Sequence, residues 1–166
     1  QHFFGALVCS SLPHVPGEIN GYLVIDGQQR LTTLTVLFVA LADRLRGRGE
    51  EDASMDVLED YVVHRRKKGL ERFKVLPRPG DREVLQDMLE EQSGAWDDGS
   101  KIDDAYRYFS KLMEKVDAES GTQGLLTLRE TIAHRLMIVV ITLEEEDPYG
   151  IFESLNSTGL PLRQSD

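Results

Sequence analysis

The residue types best suited to chemistry lie side by side in one short segment, Ile25-Asp26-Gly27-Gln28-Gln29-Arg30. Asp26 is a carboxylate that can hold a magnesium ion, orient a water molecule or accept a hydrogen bond from a ribose hydroxyl. Arg30 carries a planar guanidinium that can bind phosphate oxygens through two parallel hydrogen bonds. Amides and hydroxyls surround these two charges, at Gln28, Gln29, Thr32 and Thr33. The segment therefore suits a phosphorylated ligand.

The elements expected around this segment place it at the start of a helix. Gly21–Ile25 is a short β-branched and aromatic run, typical of a buried strand. From Leu31 to Arg46 apolar residues recur every three or four positions, which predicts a helix that ends near Gly47. The first N–H groups of a helix lack intrahelical partners and carry about half a positive charge. Since Gly27 permits a positive φ and close approach of a ligand, the turn predicts an anion site.

A plainer interpretation of the same residues stays open. A threonine would cap the helix after an Asp-Gly turn, and Arg30 would pair with a surface acid. The sequence has no Gly-x-x-x-x-Gly-Lys-Ser/Thr loop, so a nucleotide would have to bind by another design. The acidic run Glu144–Asp147 would either share a magnesium ion with Asp26 or form a solvated loop. Trp96 would either stack on a base or fold back onto the core.

Composition and charge narrow the class of protein. The chain has 166 residues, 40% of them hydrophobic, which suits one folded domain, and no apolar run approaches the roughly 18 residues of a membrane span. The single Cys9 excludes a disulfide within the chain and a cysteine-rich zinc site, and it favours a reducing cytoplasm. A net charge of −10 argues against a surface that clamps DNA as a whole. The local exception is the basic run His64–Lys68, followed by Arg72 and Lys74, whose alternative interpretation is a solvated helix end.

The remaining pattern predicts a mixed α/β domain with strands near the two ends of the chain and helices between them. We expect a helix end within residues 1–10, and a strand at Met137–Ile141 that is buried on both faces because it is continuously apolar. Ser54 is expected to cap a helix, and Asp81 to cap the next. Further elements are predicted as a strand at Phe73–Leu76, helices at Ile102–Val116 and Leu125–Leu136, and a helix at Tyr149–Ser157.

Two motifs resemble one protein family. Val24–Leu34, which contains Asp-Gly-Gln-Gln-Arg, resembles the signature of the N-terminal domain of GmrSD-type restriction endonucleases. Tyr149–Leu162 is similar to the family's Phe-x-x-Leu-Asn-x-x-Gly-x-x-Leu segment, and it follows in the expected order about 120 residues later. The resemblance spans nearly all of the chain. It implies a ParB/sulfiredoxin-like core that carries a large helical insertion over residues 50–135, with core strands and motifs in 1–46 and 136–166.

The resemblance also implies a function. Members bind and hydrolyse NTPs and regulate defence against phages whose DNA is modified, and related ParB proteins hold cytidine triphosphate at the equivalent turn. Carried over, Asp26, Gln28, Gln29 and Arg30 become the catalytic candidates, with Mg²⁺ on Asp26. The nucleotide-binding candidates are Gly27, Arg30, Thr32, Thr33 and Asn156. Asn156 also fits a local role, in which it would bond the backbone at a helix end.

The family has features that this chain lacks. Sulfiredoxins on the same fold need a cysteine at the helix-start turn, where Gln28 and Gln29 stand here, so sulfinic-acid reduction is not expected. The His-Asn-His-type nuclease cluster of the family is also absent, so residues that cut DNA are expected outside these 166. The family's opening aromatic-rich strand is missing too, and the pattern stops before a further helix, so the chain is expected to be a single, truncated domain. Its expected partners are a nucleotide, modified DNA through the full-length protein, and a C-terminal nuclease domain or subunit. No membrane is expected among them, and a homo-oligomer is left open.

Two other functions compete with the NTPase interpretation. The first is a DNA-binding or nucleolytic module that senses modified bases without NTP turnover, and it needs the basic stretch Arg65–Lys74 as its contact surface. The second is a structural interaction domain in which the Asp-Gly turn only caps a helix. The sequence leaves the preferred base of the nucleotide open.

Overall fold

The computed structural model describes residues 1–17, 19–90 and 99–143. Its strands are β1 (His2–Ser11), β2 (Tyr22–Asp26) and β3 (Leu136–Leu143), and its helices are α1 (Gln28–Gly47), α2 (Glu51–Tyr61), α3 (Pro79–Glu90) and α4 (Lys101–Arg135). A short 3₁₀ turn lies at Gly69–Arg72. The predicted mixed α/β class is confirmed. The ParB/sulfiredoxin-like core stays a prediction.

The chain divides into two compact units. One, the helical unit, comprises Gln1–His2 and Gln29–Leu136. The other, the sheet unit, comprises described residues 3–17, 19–28 and 137–143, and so takes its strands from both ends of the sequence. The boundary falls between Gln28 and Gln29, within the Asp-Gly-Gln-Gln-Arg segment.

The core of the helical unit is built around α1. Every residue from Phe38 to Ala42 is buried, so this helix is covered on more than the one face that its spacing predicts. Polar contacts join α1, and Arg48 just beyond its end, to α4. The Asp117 carboxylate, itself 4% exposed, accepts a hydrogen bond from Arg44 at 2.8 Å and forms an ion pair with Arg48 at 2.9 Å. The Tyr106 hydroxyl donates to the Asp43 carboxylate at 2.8 Å.

Helix α4 bends at Gly121. The backbone there has φ 61° and ψ −159°, outside the helical region, so the 35 residues form two helical segments. This matches the two helices predicted at Ile102–Val116 and Leu125–Leu136. The first segment begins at Ser100, whose hydroxyl accepts a hydrogen bond from the Asp103 amide at 3.1 Å and caps the helix.

Four expectations about these elements are wrong. Asp81 lies inside α3 rather than at its cap, since that helix begins two residues earlier at Pro79. Residues 1–10 form β1 rather than a helix end, because alternate residues such as Leu7 and Cys9 point into the sheet unit's interior. Ser54 lies inside α2 rather than at its cap, since the helix begins one turn earlier at Glu51. Phe73–Leu76 contributes only one isolated bridge, between Phe73 and Val63.

The strand β3 is also less buried than predicted. Its residues Met137, Val139, Val140 and Ile141 are between 44% and 58% exposed. The order of the described sheet is β2-β1-β3, so β3 is an outer strand with one described neighbour. A continuously apolar run therefore does not mean burial on both faces here. The predicted helix at Tyr149–Ser157 lies outside the described residues.

Candidate functional site

The strand-to-helix turn predicted from the sequence is present. Strand β2 ends at Asp26, and α1 begins at Gln28. Between them Gly27 is buried and has φ 94°, a backbone conformation that residues with a β-carbon rarely adopt. The turn therefore depends on glycine at this position. The first turn of α1 contains no acidic side chain, and the nearest carboxylate, that of Asp26, precedes the helix by two residues.

On the sheet side, Asp26 pairs with Val8 of β1, next to a shift in the register between β1 and β2. The antiparallel register matches Val8 with Asp26 but Cys9 with Val24, so it shifts between Val8 and Cys9. Shifts of this β-bulge type redirect side chains and are frequent beside functional sites. The Asp26 side chain is exposed, which suits a carboxylate that meets a ligand at a strand's carboxyl end.

Gln28 fastens the end of the turn to the strand. Its side-chain Nε2 donates a hydrogen bond to the Val24 carbonyl at 2.7 Å. The side chain is half-buried, whereas that of the next residue, Gln29, is exposed. Of the two glutamines, Gln28 therefore stabilises the turn through this hydrogen bond, and Gln29 is the more accessible to solvent.

On the helix side, Arg30 and Thr32 are half-buried and Thr33 is exposed. The Thr33 hydroxyl donates to the Gln29 carbonyl at 2.7 Å. A role for Thr33 as a phosphate donor would require the exchange of this bond. Asp26, Arg30 and Thr32 each also make an interaction within the protein. Ligand binding at any of these three would therefore rearrange contacts that already exist.

The second family motif cannot be placed in the same way. Asn156, the acidic run Glu144–Asp147 and Trp96 lie outside the described residues. In residues 1–17, 19–90 and 99–143, no three histidine, cysteine or acidic side chains are grouped as metal ligands. His134 is exposed and bonded to Glu130 at 3.0 Å, as expected of a surface histidine.

Cys9 lies one strand away from the turn, opposite Val24. It is 5% exposed, and burial raises the pKa of its thiol. A thiol with a raised pKa is mostly protonated at neutral pH and is a poor nucleophile.

Sequence reasoning did not find the partners Val8 and Val24. The register shift between β1 and β2 depends on strand pairing, and Val24 acts through its backbone carbonyl, so neither leaves a signal in side-chain types. One of the two interpretations left open for the basic run His64–Lys68, a solvated helix end, is wrong. In the structure α2 ends at Tyr61, and the run lies in the loop beyond it.

None of the described helices combines the length and apolar composition of a membrane-spanning segment.

Comparison with known proteins agrees with the sequence motifs. No curated protein and no solved structure matches the chain. A family model, the N-terminal domain of the GmrSD restriction endonuclease, matches residues 1–166. The chain therefore belongs to the GmrSD N-terminal domain family, which implies a role in a restriction system.

Proposed function

We propose that this chain is a nucleotide-binding domain that hydrolyses NTPs and regulates a restriction system directed against modified phage DNA. The observation that carries the proposal is the buried Gly27 at φ 94°, between the exposed carboxylate of Asp26 and the first turn of a 20-residue helix. The first backbone N–H groups of a helix lack intrahelical partners, so a glycine turn that leads into a helix is a common binding site for phosphate. Its sequence is the Asp-Gly-Gln-Gln-Arg segment that the family resemblance ties to nucleotide hydrolysis.

Charge in the first turn of α1 favours an anion. Its only ionic side chain is the guanidinium of Arg30, because Gln28 and Gln29 are neutral. A phosphate there would gain from both the helix dipole and a bidentate guanidinium. In phosphoryl transfer, fixed positive groups of this kind stabilise the charge that develops on the transferred oxygens.

A magnesium ion fits the donor set on the sheet side. Mg²⁺ is commonly held by one or two carboxylates together with substrate phosphates and water, so the single exposed Asp26 suffices as the protein ligand. When bound, the ion would neutralise charge on the phosphate oxygens. Asp26 itself would accept hydrogen bonds from water or anchor the ion.

The two glutamines divide into different roles. Gln28 donates its amide to the Val24 carbonyl, so it maintains the turn. Gln29 is exposed and keeps its side-chain amide available to orient an attacking water molecule. Nucleotide state would then bias the docking or activity of a C-terminal nuclease domain or subunit, since a ligand shifts an equilibrium by its differential affinity for two states.

Thermal unfolding of the full-length protein with Mg²⁺ and ATP, GTP, CTP or UTP tests the site. A nucleotide at about 100 times its dissociation constant stabilises by roughly 2.7 kcal/mol, which raises Tm by about 5–10 °C for a domain of this size. We expect a shift with at least one nucleotide and its loss in Arg30→Ala. Arg135→Ala is the matched control, because it removes an exposed arginine from the C-terminal end of α4, outside the turn.

Phosphate release separates binding from turnover. Gln29→Ala should keep the thermal shift and lose phosphate release by about 100-fold or more, the range typical of a group that acts in the transition state. Gln28→Ala should lower Tm even without nucleotide. If none of the four nucleotides raised the Tm of the wild-type protein, the proposal would be refuted.

A further inference from the structure

The strongest charged feature outside the turn is the loop between α2 and α3. Residues 62–74, here the basic hairpin, fold back on themselves through paired backbone groups. The His64 amide donates to the Arg72 carbonyl at 2.6 Å, and the Lys74 amide donates to the Val62 carbonyl at 2.9 Å. Val62 and Phe73 are buried in the core of the helical unit. The two ends of the hairpin are thus held together by backbone hydrogen bonds and packed into the core of the helical unit.

The hairpin gathers positive charge in a chain that is otherwise acidic. It contains six of the 19 lysines and arginines and only one acid, Glu71, although the net charge of the chain is −10. Four of the six are consecutive, at Arg65–Lys68. Three of these four are exposed, and Lys67 is half-buried. The run therefore presents a local charge opposite in sign to that of the whole protein.

The ion pairs around the hairpin leave most of this charge uncompensated. Arg65 lies 3.5 Å from Glu59 with its side chain 80% exposed, and Lys67 lies 3.5 Å from Glu71. Exposed pairs of this length are weak and are screened by salt. Arg66 and Lys68 form no ion pair with any described residue.

The positive charge of the hairpin also affects the pKa of His64, which is one of its residues. The pKa of His64 is lowered, first by burial and then by the positive charges of Lys74 and Lys67. Lys67 and Lys74 therefore lie close enough to act on the same side chain.

The composition of the hairpin favours a phosphate backbone over a protein partner. Protein interfaces have an apolar or aromatic centre and are depleted of lysine, whereas four consecutive cations here have no apolar residue between them. The only aromatic residue of the hairpin, Phe73, is buried under Arg72, whose guanidinium lies 5.3 Å from the ring centre. No aromatic face of the hairpin is thus available to stack on an unpaired base.

We propose that the basic hairpin binds the phosphate backbone of double-stranded DNA without reading its sequence. Lysine and arginine that neutralise phosphates release counterions, so binding of this kind weakens steeply with salt. The surface is independent of the proposed nucleotide site and would operate whether or not the β2–α1 turn binds NTP.

Fluorescence anisotropy with a labelled duplex of about 25 base pairs, titrated over a range of NaCl concentrations, tests the proposal on the full-length protein. Each phosphate contact contributes about 0.9 to the slope of log K against log salt. Neutralising Arg65, Arg66, Lys67 and Lys68 together to glutamine should therefore reduce the slope by about 3 to 4. Affinity near physiological salt should fall by on the order of 100-fold or more.

Two further variants make the test specific. Arg66→Gln with Lys68→Gln breaks no described ion pair, so it should fold normally and reduce the slope by about 2. The matched control neutralises four exposed cations of α4, namely Lys101, Lys111, Lys115 and Arg135. It changes the net charge by the same amount as the fourfold hairpin variant. Its effect on affinity should be several-fold at most.

Four results would overturn the proposal. They are no duplex binding even at low salt, an equal loss in the α4 control, tighter binding to single-stranded DNA of the same sequence, and equal binding to vesicles that contain anionic lipid. Circular dichroism of each variant confirms that a loss reflects the removed charges rather than unfolding.

Discussion

Two serines of the helical unit should respond in opposite ways to the same substitution. Ser54 lies inside α2 and is 1% exposed, and its hydroxyl has no hydrogen-bond partner among the described residues. A buried hydroxyl without a partner costs about 1–3 kcal/mol in lost hydration. Alanine also favours a helix over serine by roughly 0.5 kcal/mol. We expect Ser54→Ala to stabilise the fold by about 1–2 kcal/mol, which raises Tm by about 3–8 °C.

Ser100 is the matched comparison. Its hydroxyl caps α4 by accepting a hydrogen bond from the Asp103 amide at 3.1 Å. Loss of a serine cap typically costs about 1 kcal/mol, so Ser100→Ala should lower Tm by roughly 2–4 °C. The two variants should differ by about 2–3 kcal/mol in free energy of unfolding.

Urea unfolding followed by circular dichroism measures this difference directly. If Ser54→Ala destabilises the protein as much as Ser100→Ala does, the Ser54 hydroxyl makes a productive bond. The burial argument would then be refuted, and the capping role expected from the sequence would regain support.

Three further predictions concern a helix bend and two titrating groups. Gly121→Ala should lower the free energy of unfolding, measured in urea, by about 1–3 kcal/mol, because φ 61° with ψ −159° suits glycine alone. Gly80→Ala in α3 is the control. It should leave that free energy unchanged or raise it, since nothing lies within 4 Å of the added methyl group. Burial raises the pKa of Asp43 above 3.8, so folding favours its protonated form, and stability relative to Asp43→Asn should decrease as pH rises from 3.8 through the folded pKa. The pKa of His64 is lowered below 6.5, so stability relative to His64→Gln should decrease as pH falls through 6.5. NMR titration should show a low His64 pKa that rises in Lys74→Gln, and an unchanged value would contradict the electropositive hairpin.

Local patterns allowed the elements around the candidate site to be predicted. β-Branched residues at Gly21–Ile25, the Asp-Gly break and the spacing from Leu31 to Arg46 each report on a few neighbouring residues. The structure has β2 and α1 within three residues of these bounds. The family assignment likewise rested on contiguous motifs and is confirmed by the match over residues 1–166. The individual roles of Asp26 to Thr33 stay predictions.

Features set by distant residues could not be predicted. Burial of β3 depends on its position in the sheet, which its own apolar sequence does not encode. The role of Ser54 depends on where α2 begins, and Glu50 starts that helix without a side-chain cap. The basic hairpin depends on the pairing of Val63 with Phe73, ten residues apart. Charge runs alone did not distinguish this arrangement from a helix end.

The sheet order also has a consequence for synthesis of the chain. Strand β1 can pair with β2 almost as soon as both leave the ribosome, but its other neighbour, β3, begins more than 100 residues later at Leu136. At about 5–20 residues per second, the free edge of β1 waits for roughly 6–25 s. Unpaired edges of this kind are sites of aggregation. Expression at low temperature, or with abundant chaperone, should therefore raise the yield of folded protein more than changes to the helical unit do.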